Sequence, residues 1–334
     1  QGRSNTMLPI TETNEDIKNI DLDISNKLII QEKINYLRSI PQPEQRTPEW
    51  YIFRHNLITA SNAYKAFESQ STKNQLIYEK CQPLTNAQSG INFDNELTDD
   101  IKMVNVNSTL HWGQKYEPLS VKIYEHMYNT KIEDFGCIQH DKYSFIGASP
   151  DGIVVCGPRI GHLVEIKNVV SREITDIPIE SHWIQCQIQM EVCDLPYCDY
   201  IQTCIKEISV EDFYQEQMAD YKGVIIFLQH DNESPYQTTS VDSTETPSYK
   251  YVYMPLDYNL NSVNDETETI IKTWIHSVTE QHPSYLLVDI TYWKLEEMSY
   301  NNTIIFKADD DGFVDFYKPF DRDFDDQMDT DSSL

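Results

Sequence analysis

The sequence lacks any apolar run of about 18 residues or more, the length that a membrane-spanning helix needs. Its N-terminus is polar and acidic and has no apolar stretch of the kind found in signal peptides. We therefore expect no membrane-spanning segment and no signal peptide. Basic residues are also scarce, because 26 lysines and arginines face 54 aspartates and glutamates, for a formal net charge of −28. This charge argues against general electrostatic attraction to nucleic acid.

The cysteines do not follow the pattern of a disulfide framework. There are seven, an odd number, which indicates an intracellular, reducing compartment. Four of them, Cys186, Cys193, Cys198 and Cys204, follow one another closely enough to raise a metal or iron–sulfur site. Their spacing contains no Cys-x2-Cys pair, so free structural thiols are the favoured alternative.

What is present is the composition of a globular protein, with 40% hydrophobic and 11% aromatic residues in a chain of 334 residues. Changes in composition divide the chain into four predicted regions: a helical and acidic extension over 1–43, a core over 44–230, an insertion followed by elements packed on the core over 231–308, and an acidic tail over 309–334.

Periodicity predicts most of the secondary structure. We expect helices over residues 28–40, 112–128, 182–192 and 266–278, two strands over 152–156 and 163–169, a β-hairpin over 131–145, further strands over 199–208 and 249–253, and surface loops over 86–109 and 231–248. In the helix over 182–192, Gln185 and Gln189 are four apart and share a face, whereas Gln187 lies on another side.

The strands over 152–156 and 163–169 form the motif around which the core is organised. A loop rich in glycine and proline joins them, which predicts a hairpin. Glu165 and Lys167 are two apart, so both side chains leave the same face of their strand. Asp151 precedes the other strand and would complete a group of two carboxylates and one ammonium. Such a group suits hydrolysis of a phosphodiester with Mg²⁺, although a solvated face is the alternative.

Two further features predict contacts with phosphate. Arg54 lies in a predicted helix, and Ser61 lies near the start of the next one. Helix N-termini and arginine forks both bind phosphate oxygens. The alternative is an ordinary surface arginine and a simple helix cap. Glu117, in the helix over 112–128, either points into the same pocket as Asp151 or is solvated.

Four blocks of sequence resemble the lambda-exonuclease or YqaJ type of viral recombination nuclease, within the PD-(D/E)XK superfamily. In chain order they are Trp50, Arg54 and Thr59-Ala60-Ser61; Gly113 and Glu117; Ser149-Pro150-Asp151-Gly152 with Glu165-Ile166-Lys167; and Trp183 with Gln185 and Gln187. The resemblance implies an α/β (α+β), restriction-endonuclease-like fold, a mixed β-sheet core flanked by helices, with the nuclease core over 44–230.

The resemblance also implies roles for individual residues. The implied metal ligands are Asp151, Glu165, the backbone carbonyl of Ile166, and Glu117 as a supporting acid. Lys167 would position the attacking water. The implied grip on a terminal 5′-phosphate or the scissile phosphate consists of Arg54, Ser61, Ser149 and Gln187. The expected cofactors are two Mg²⁺ or Mn²⁺ ions.

The expected activity is a Mg²⁺-dependent 5′→3′ exonuclease on double-stranded DNA ends, in viral recombination, repair or defence against foreign DNA. The resemblance implies a homo-oligomer (a ring trimer in the family, with a dimer as the alternative here), a single-strand annealing or helicase partner, and the host cytoplasm or virion of a large DNA virus. Three alternatives remain open: an endonuclease of the same fold, a catalytically inactive module that binds DNA ends or protein, and an iron–sulfur nuclease.

Overall fold

The computed structural model of the protein describes residues 14–43, 47–83, 109–175, 177–230, 249–258, 260, 265–299 and 302–307. The helices in these ranges are α1 (Asn14–Ser39), α2 (Pro48–His55), α3 (Ala60–Ala63), α4 (Gln70–Cys81), α5 (Thr109–Tyr128), α6 (Glu180–Cys193), α7 (Val210–Gln215) and α8 (Asp265–Gln281). None of them is both long and apolar enough to cross a membrane.

The described strands are β1 (Ile58–Thr59), β2 (Lys131–Glu133), β3 (Ile138–Gln139), β4 (Ile146–Ala148), β5 (Gly152–Cys156), β6 (Leu163–Asn168), β7 (Tyr197–Glu207), β8 (Lys222–His230), β9 (Tyr249–Tyr253), β10 (Tyr285–Met298) and β11 (Thr303–Ile305). Eight of these form one mixed sheet in the order β2-β5-β6-β7-β10-β8-β9, with β11 also paired to β7. The other three form a small sheet in the order β1-β4-β3.

The centre of the large sheet is a crossover unit. β5 and β6 are antiparallel, as the Gly/Pro loop predicts, and β6 then pairs in parallel with β7 from Leu163↔Cys198 to Asn168↔Thr203. Because parallel neighbours need a long connection, α6 spans the distance between β6 and β7. Most of α6 is buried in the core. This helix therefore holds the strand that carries Glu165 and Lys167.

The small sheet determines where the chain leaves β1 and β4. These strands are parallel, with Ile58 opposite Ile146 and Thr59 opposite Gly147. Parallel strands end at the same edge, so the residues that follow them come together. One strand leads into α3, which contains Ser61, and the other leads into Ser149.

Local signals explain the boundaries of the helices beside this sheet. α2 begins with Pro48, and the hydroxyl oxygen of Thr47 accepts a hydrogen bond from the Trp50 N–H at 3.3 Å. α4 begins after Ser69, whose hydroxyl oxygen accepts from the Thr72 N–H at 3.3 Å. Both helices therefore have side-chain caps at their N-termini.

The predicted fold class, a mixed sheet flanked by helices, is confirmed. The four predicted helices, the motif hairpin and the strands that contain residues 199–207 and 249–253 are also confirmed. The predicted hairpin over 131–145 is wrong. β2 pairs with β5 in the large sheet, whereas β3 pairs with β4 in the small one. The chain between β2 and β3 passes from one sheet to the other. Gly136 lies in this connection, where a side chain would not fit, because a Cβ there would come within 2.4 Å of the Pro43 carbonyl oxygen.

Several predictions fall outside the described ranges: the loop over 86–109 except its last residue, the insertion over 231–248 and the tail over 309–334. The described elements after this insertion, β9, α8 and β10, pack on or extend the sheet that contains β8. The division of the chain into four regions stays a prediction.

Candidate functional site

The motif hairpin brings two carboxylates and one ammonium together. The Ile166 N–H donates a hydrogen bond to Asp151 Oδ2 at 2.6 Å, so the Asp151 side chain lies against the strand between Glu165 and Lys167. The Lys167 ammonium forms an ion pair with Glu165 Oε1. Glu165 and Lys167 therefore share a face, as their spacing predicts. The structure assembles this part of the predicted site from residues on both sides of one hairpin.

Two glutamines of α6 hold Glu165 in place. Gln185 Nε2 donates to Glu165 Oε1 at 2.8 Å, and Gln189 Nε2 donates to Glu165 Oε2 at 2.7 Å. Glu165 is only 1% exposed, so these bonds offset part of the cost of burying its charge. The predicted shared face of Gln185 and Gln189 is confirmed, and both amides serve a core hydrogen bond to the acid.

Charge is crowded around Asp151. Burial raises the pKa of Asp151 well above its usual value, and the nearby carboxylates of Glu165 and Glu117 raise it further. Burial would lower the pKa of Lys167, but Glu165 and Asp151 together raise it above its ordinary range. Lys167 is therefore protonated at neutral pH in this arrangement. Glu117, which the sequence could not place, lies close enough to act on Asp151.

The donor set fits a hard divalent cation. Carboxylate and carbonyl oxygens are the ligands that Mg²⁺ and Mn²⁺ prefer, and a cation would relieve the repulsion that raises the pKa of Asp151. Over the described ranges, no three His, Cys, Asp or Glu side chains form a preformed metal cage. The fit thus depends on two carboxylates, Asp151 and Glu165, with the Ile166 carbonyl and Glu117 as further predicted ligands.

A second group of side chains includes Ser149, which lies two residues before Asp151 in the chain. Arg54 Nη1 donates to Ser149 Oγ at 3.2 Å, and Arg54 Nη2 donates to Ser61 Oγ at 3.3 Å. The guanidinium carbon is 4.2 Å from the centre of the Trp50 ring. Burial lowers the pKa of Arg54, although the group stays charged at neutral pH. Three of the four predicted phosphate-binding residues are thus in contact, and we call Arg54, Ser61 and Ser149 the arginine pocket.

The fourth predicted residue lies elsewhere. Gln187 is fully buried on the opposite side of α6, where its Nε2 donates to the Ile305 carbonyl at 3.0 Å and its Oε1 accepts from the Lys307 N–H at 2.9 Å. It joins α6 to the C-terminal strand. A role for Gln187 in binding phosphate stays a prediction.

The four cysteines that raised an iron–sulfur site do not form one in the described part of the chain. Cys186, Cys193 and Cys198 are buried and Cys204 is half-buried, and all four are free thiols. No group of three potential metal ligands includes them in the ranges that the structure covers. The favoured alternative, structural thiols, agrees with their burial.

The comparisons with known proteins bear on this arrangement. Residues 49–196 match the family model of the YqaJ-like viral recombinase domain. This stretch includes the arginine pocket, Glu117 and the motif hairpin. Over these residues the chain is similar to a YqaJ-like viral recombinase domain. The resemblance seen in the sequence is therefore confirmed, and the predicted recombination-type nuclease agrees with it.

One relative of this chain is viral. It is the uncharacterized protein R354 of Acanthamoeba polyphaga mimivirus, 28% identical over 302 residues, which make up 80% of this chain and 50% of the relative. The chain thus spans about half the length of that relative.

Two solved structures are also similar to this chain. An alkaline exonuclease (LHK-Exo) from Laribacter hongkongensis is 18% identical, with a TM-score of 0.36, over 70% of this chain and 94% of that chain. LHK-Exo in complex with dAMP is 19% identical, with a TM-score of 0.35, over 71% of this chain and 98% of that chain.

Proposed function

We propose that the protein is a divalent-metal-dependent DNA exonuclease that degrades double-stranded DNA from its ends in the 5′→3′ direction. The observation that carries the proposal is that the arginine pocket includes Ser149, which comes just before the motif hairpin in the chain. Ser149, which accepts from Arg54, is two residues from Asp151. A phosphate held by Arg54 would therefore lie beside the group that hydrolyses a phosphodiester.

The arginine pocket supplies the donors that a phosphate needs. Arg54 presents a planar fork of N–H groups, and the two serine hydroxyls can turn to donate to an anion. The Arg54 guanidinium is stacked on the Trp50 ring, and Ser61 lies at the start of α3. These side chains are therefore already ordered, so binding a phosphate costs little conformational entropy. The chain has a net charge of −28, but the charge of the arginine pocket is positive. DNA would therefore bind at this local positive site in spite of the negative net charge.

The motif hairpin supplies the groups that act on the scissile bond. Asp151, Glu165, the Ile166 carbonyl and Glu117 would hold the two ions, and when bound these ions would supply an activated water and stabilise the leaving oxygen. Lys167 keeps its proton next to the carboxylates and orients the water by donating to it. Gln185 and Gln189 keep Glu165 in position, so that its oxygens stay on the side facing Lys167.

The setting that fits this activity is recombination, repair or defence in a large DNA virus, in the host cell or virion. A viral relative and a viral recombinase domain support it. A homo-oligomer, either the ring trimer that the family implies or a dimer, and a single-strand annealing or helicase partner complete the proposal.

The first test is a time course on linear duplex DNA with labelled 5′ ends, compared with closed circular DNA. We expect nucleotides to be released from the linear duplex with Mg²⁺ or Mn²⁺ and no release in EDTA. Cleavage that is unchanged in EDTA would contradict the proposal. Nicking of the closed circle would indicate an endonuclease, and binding of ends without release in Mn²⁺ would indicate an inactive module.

A second test addresses the arginine pocket. Arg54→Gln should lower kcat/KM on 5′-phosphorylated duplex by about 100-fold, because a fork of charge-assisted hydrogen bonds to phosphate is lost. The control Arg172→Gln replaces an exposed arginine outside the arginine pocket. Equal loss in both variants, or full activity of Arg54→Gln, would show that the pocket does not bind the reacting strand.

A further inference from the structure

A buried amide oxygen in β7 has no hydrogen-bond partner in the part of the chain that the structure describes. It is Oε1 of Gln202, a residue that is only 1% exposed. The other end of the same amide is fixed, because Gln202 Nε2 donates to the Thr175 carbonyl at 2.7 Å. Exchanging the two ends would turn an oxygen toward that carbonyl, so the free acceptor is Oε1. A buried acceptor without a donor is costly to retain and calls for an explanation.

The register of the large sheet places this amide next to Lys167. β6 and β7 are parallel, with Lys167 opposite Gln202 and Glu165 opposite Tyr200. Opposite residues of neighbouring strands point to the same face of a sheet. This face is the one that α6 covers, since Glu165 and Tyr200 both hydrogen-bond to side chains of α6. Burial raises the pKa of Tyr200, whereas the charges of Arg172 and Lys167 oppose that rise, so the Lys167 ammonium lies close to β7.

The Lys167 ammonium depends on an acceptor that the proposed cations would also use. Its partner is Glu165 Oε1, which also accepts from Gln185, while Glu165 Oε2 accepts from Gln189. Once Glu165 binds a divalent cation, the ammonium is repelled by the new positive charge and loses this acceptor. The Lys167 side chain is partly exposed and has room to turn. Gln202 Oε1, one strand away on the same face, is an acceptor that needs a donor.

We propose that Gln202 is a positioning residue for Lys167, whose ammonium donates to Gln202 Oε1 when Glu165 binds a divalent cation. The ammonium then stays against the sheet beside the acids instead of turning out to solvent. The oxygen that lacks a donor in the metal-free protein thus gains one in the metal-bound protein. This inference rests on the proposed function, specifically on cation binding at Glu165, and adds a residue that the sequence motifs do not include.

The test measures Mn²⁺ binding to the full chain by calorimetry, without DNA. Gln202→Met has a similar length but no acceptor oxygen. We expect it to raise the Kd for Mn²⁺ about tenfold, because a hydrogen bond to a charged group is lost in the bound state only. In a Lys167→Met background, the same substitution should change the Kd by less than about twofold, since no ammonium is left to position.

Thr203→Val is the matched control, because Thr203 is the next residue of β7 and faces the other side of the sheet, where its hydroxyl bonds to Ser120 and Asn168 at 2.8 Å. It should lower the thermal midpoint in EDTA and leave the Kd for Mn²⁺ unchanged. A merely structural role for Gln202, as a tie to the loop at Thr175, would weaken Mn²⁺ binding equally with and without Lys167. That result would overturn the inference.

A second measurement does not require the Gln202 variant to fold. In the otherwise unchanged chain, the NMR signal of the Gln202 side-chain amide should shift when Mg²⁺ is added. The shift should disappear in Lys167→Met, because the donor to Oε1 is then missing. An amide signal that responds to Mg²⁺ equally in both proteins would also overturn the inference.

Kinetics and calorimetry together separate this inference from the proposed function. On linear duplex, Gln202→Met should lower kcat about tenfold and keep KM within about twofold, because the position of the ammonium changes and DNA binding does not. Coupling between Gln202 and Lys167 in Mn²⁺ binding supports the inference even if no nucleotide is ever released. Cleavage by the wild type, with equal Mn²⁺ affinity in Gln202→Met, would retain the nuclease and reject the role of Gln202. A wild type that binds no Mn²⁺ would reject both.

Discussion

Asp151→Asn is expected to abolish release of nucleotides while making the metal-free protein more stable. Activity should fall by about 1,000-fold or more, because a charged ligand of the proposed ions is lost. The asparagine Oδ1 still accepts from the Ile166 N–H, so the local backbone is retained. A substitution that removes activity and raises stability indicates that the original residue serves function at a cost in folding free energy.

The gain in stability follows from the crowding of charge. The pKa of Asp151 is raised in the folded protein by burial and by the carboxylates of Glu165 and Glu117. An acid whose pKa is raised by folding weakens the folded state at every pH above its unfolded pKa of about 4. Removing the charge should therefore raise the free energy of unfolding in EDTA by about 1 kcal/mol, which is about 2 to 4 °C in thermal midpoint.

The measurement is a pair of melting curves, in EDTA and in Mg²⁺, together with the time course on linear duplex. Mg²⁺ should raise the midpoint of the wild type and have little effect on Asp151→Asn, because binding to the folded state alone is what stabilises it. Asp220→Asn, at an exposed position, is the control and should change neither quantity. Wild-type cleavage by Asp151→Asn, or a midpoint that falls in EDTA, would contradict this account of the site.

Asp199→Asn is expected to cause the largest loss of stability, about 3 kcal/mol at neutral pH. The Asp199 carboxylate is 1% exposed and accepts from Arg159 at 2.8 Å, from Thr303 at 2.6 Å and from the Tyr124 hydroxyl, and its Oδ1 lies 3.1 Å from His162 Nδ1. It joins α5, the hairpin loop and β11 to the middle of the sheet. Without its charge, Arg159 is left partly buried without a carboxylate partner.

The pH dependence provides an independent check. Burial alone would raise the pKa of Asp199, but its hydrogen bonds with His162, Thr303 and Tyr124 lower it to about 2. A lowered pKa gives stability that is present above the unfolded pKa of about 4 and is lost as the pH falls toward 2, about 2.5 kcal/mol in all. The difference in unfolding free energy between wild type and Asp199→Asn should therefore shrink between pH 4 and pH 2.

Denaturant unfolding at pH 7, 4 and 2 measures this difference. The control is Lys206→Gln, which removes an exposed ion pair with Glu296 and should change stability by no more than about 1 kcal/mol at any of these values. A constant difference between wild type and Asp199→Asn across the acid range would show that the charge of Asp199 contributes nothing.

The sequence predicts much of the arrangement around Glu165, because that arrangement depends on spacings within single elements. A spacing of two places Glu165 and Lys167 on one face of a strand, and a spacing of four places Gln185 and Gln189 on one face of a helix. The structure confirms both arrangements. What the sequence cannot give is the contact between the two elements, because it depends on how α6 packs across β6.

The arginine pocket is different, because its members are far apart along the chain. Arg54 and Ser149 are separated by 95 residues, and they meet because β1 and β4 happen to be parallel neighbours. Only the family resemblance placed them in one group. Long-range packing, rather than local pattern, decides these positions.

The fold shows the same limit at the hairpin predicted over 131–145. Two short apolar runs joined by a glycine resemble a hairpin, but β2 and β3 each find a better partner in a different sheet. β3 pairs antiparallel with β4, which follows it after a short turn, whereas the partner of β2 is β5, further along the chain. The helices over 112–128 and 266–278, by contrast, follow from periodicity, because an amphipathic face is a property of the segment itself.

The pairing of β6 with β7 bears on any attempt to isolate the smallest autonomous fragment. The match to the recombinase domain ends at residue 196, and β7 begins at Tyr197. Trimming the chain there would deprive β6 of its partner from Leu163 to Asn168 and leave a row of unsatisfied backbone groups at a new sheet edge. Such a fragment invites aggregation during expression. A fragment that keeps β6 paired must therefore extend past residue 196 and include β7.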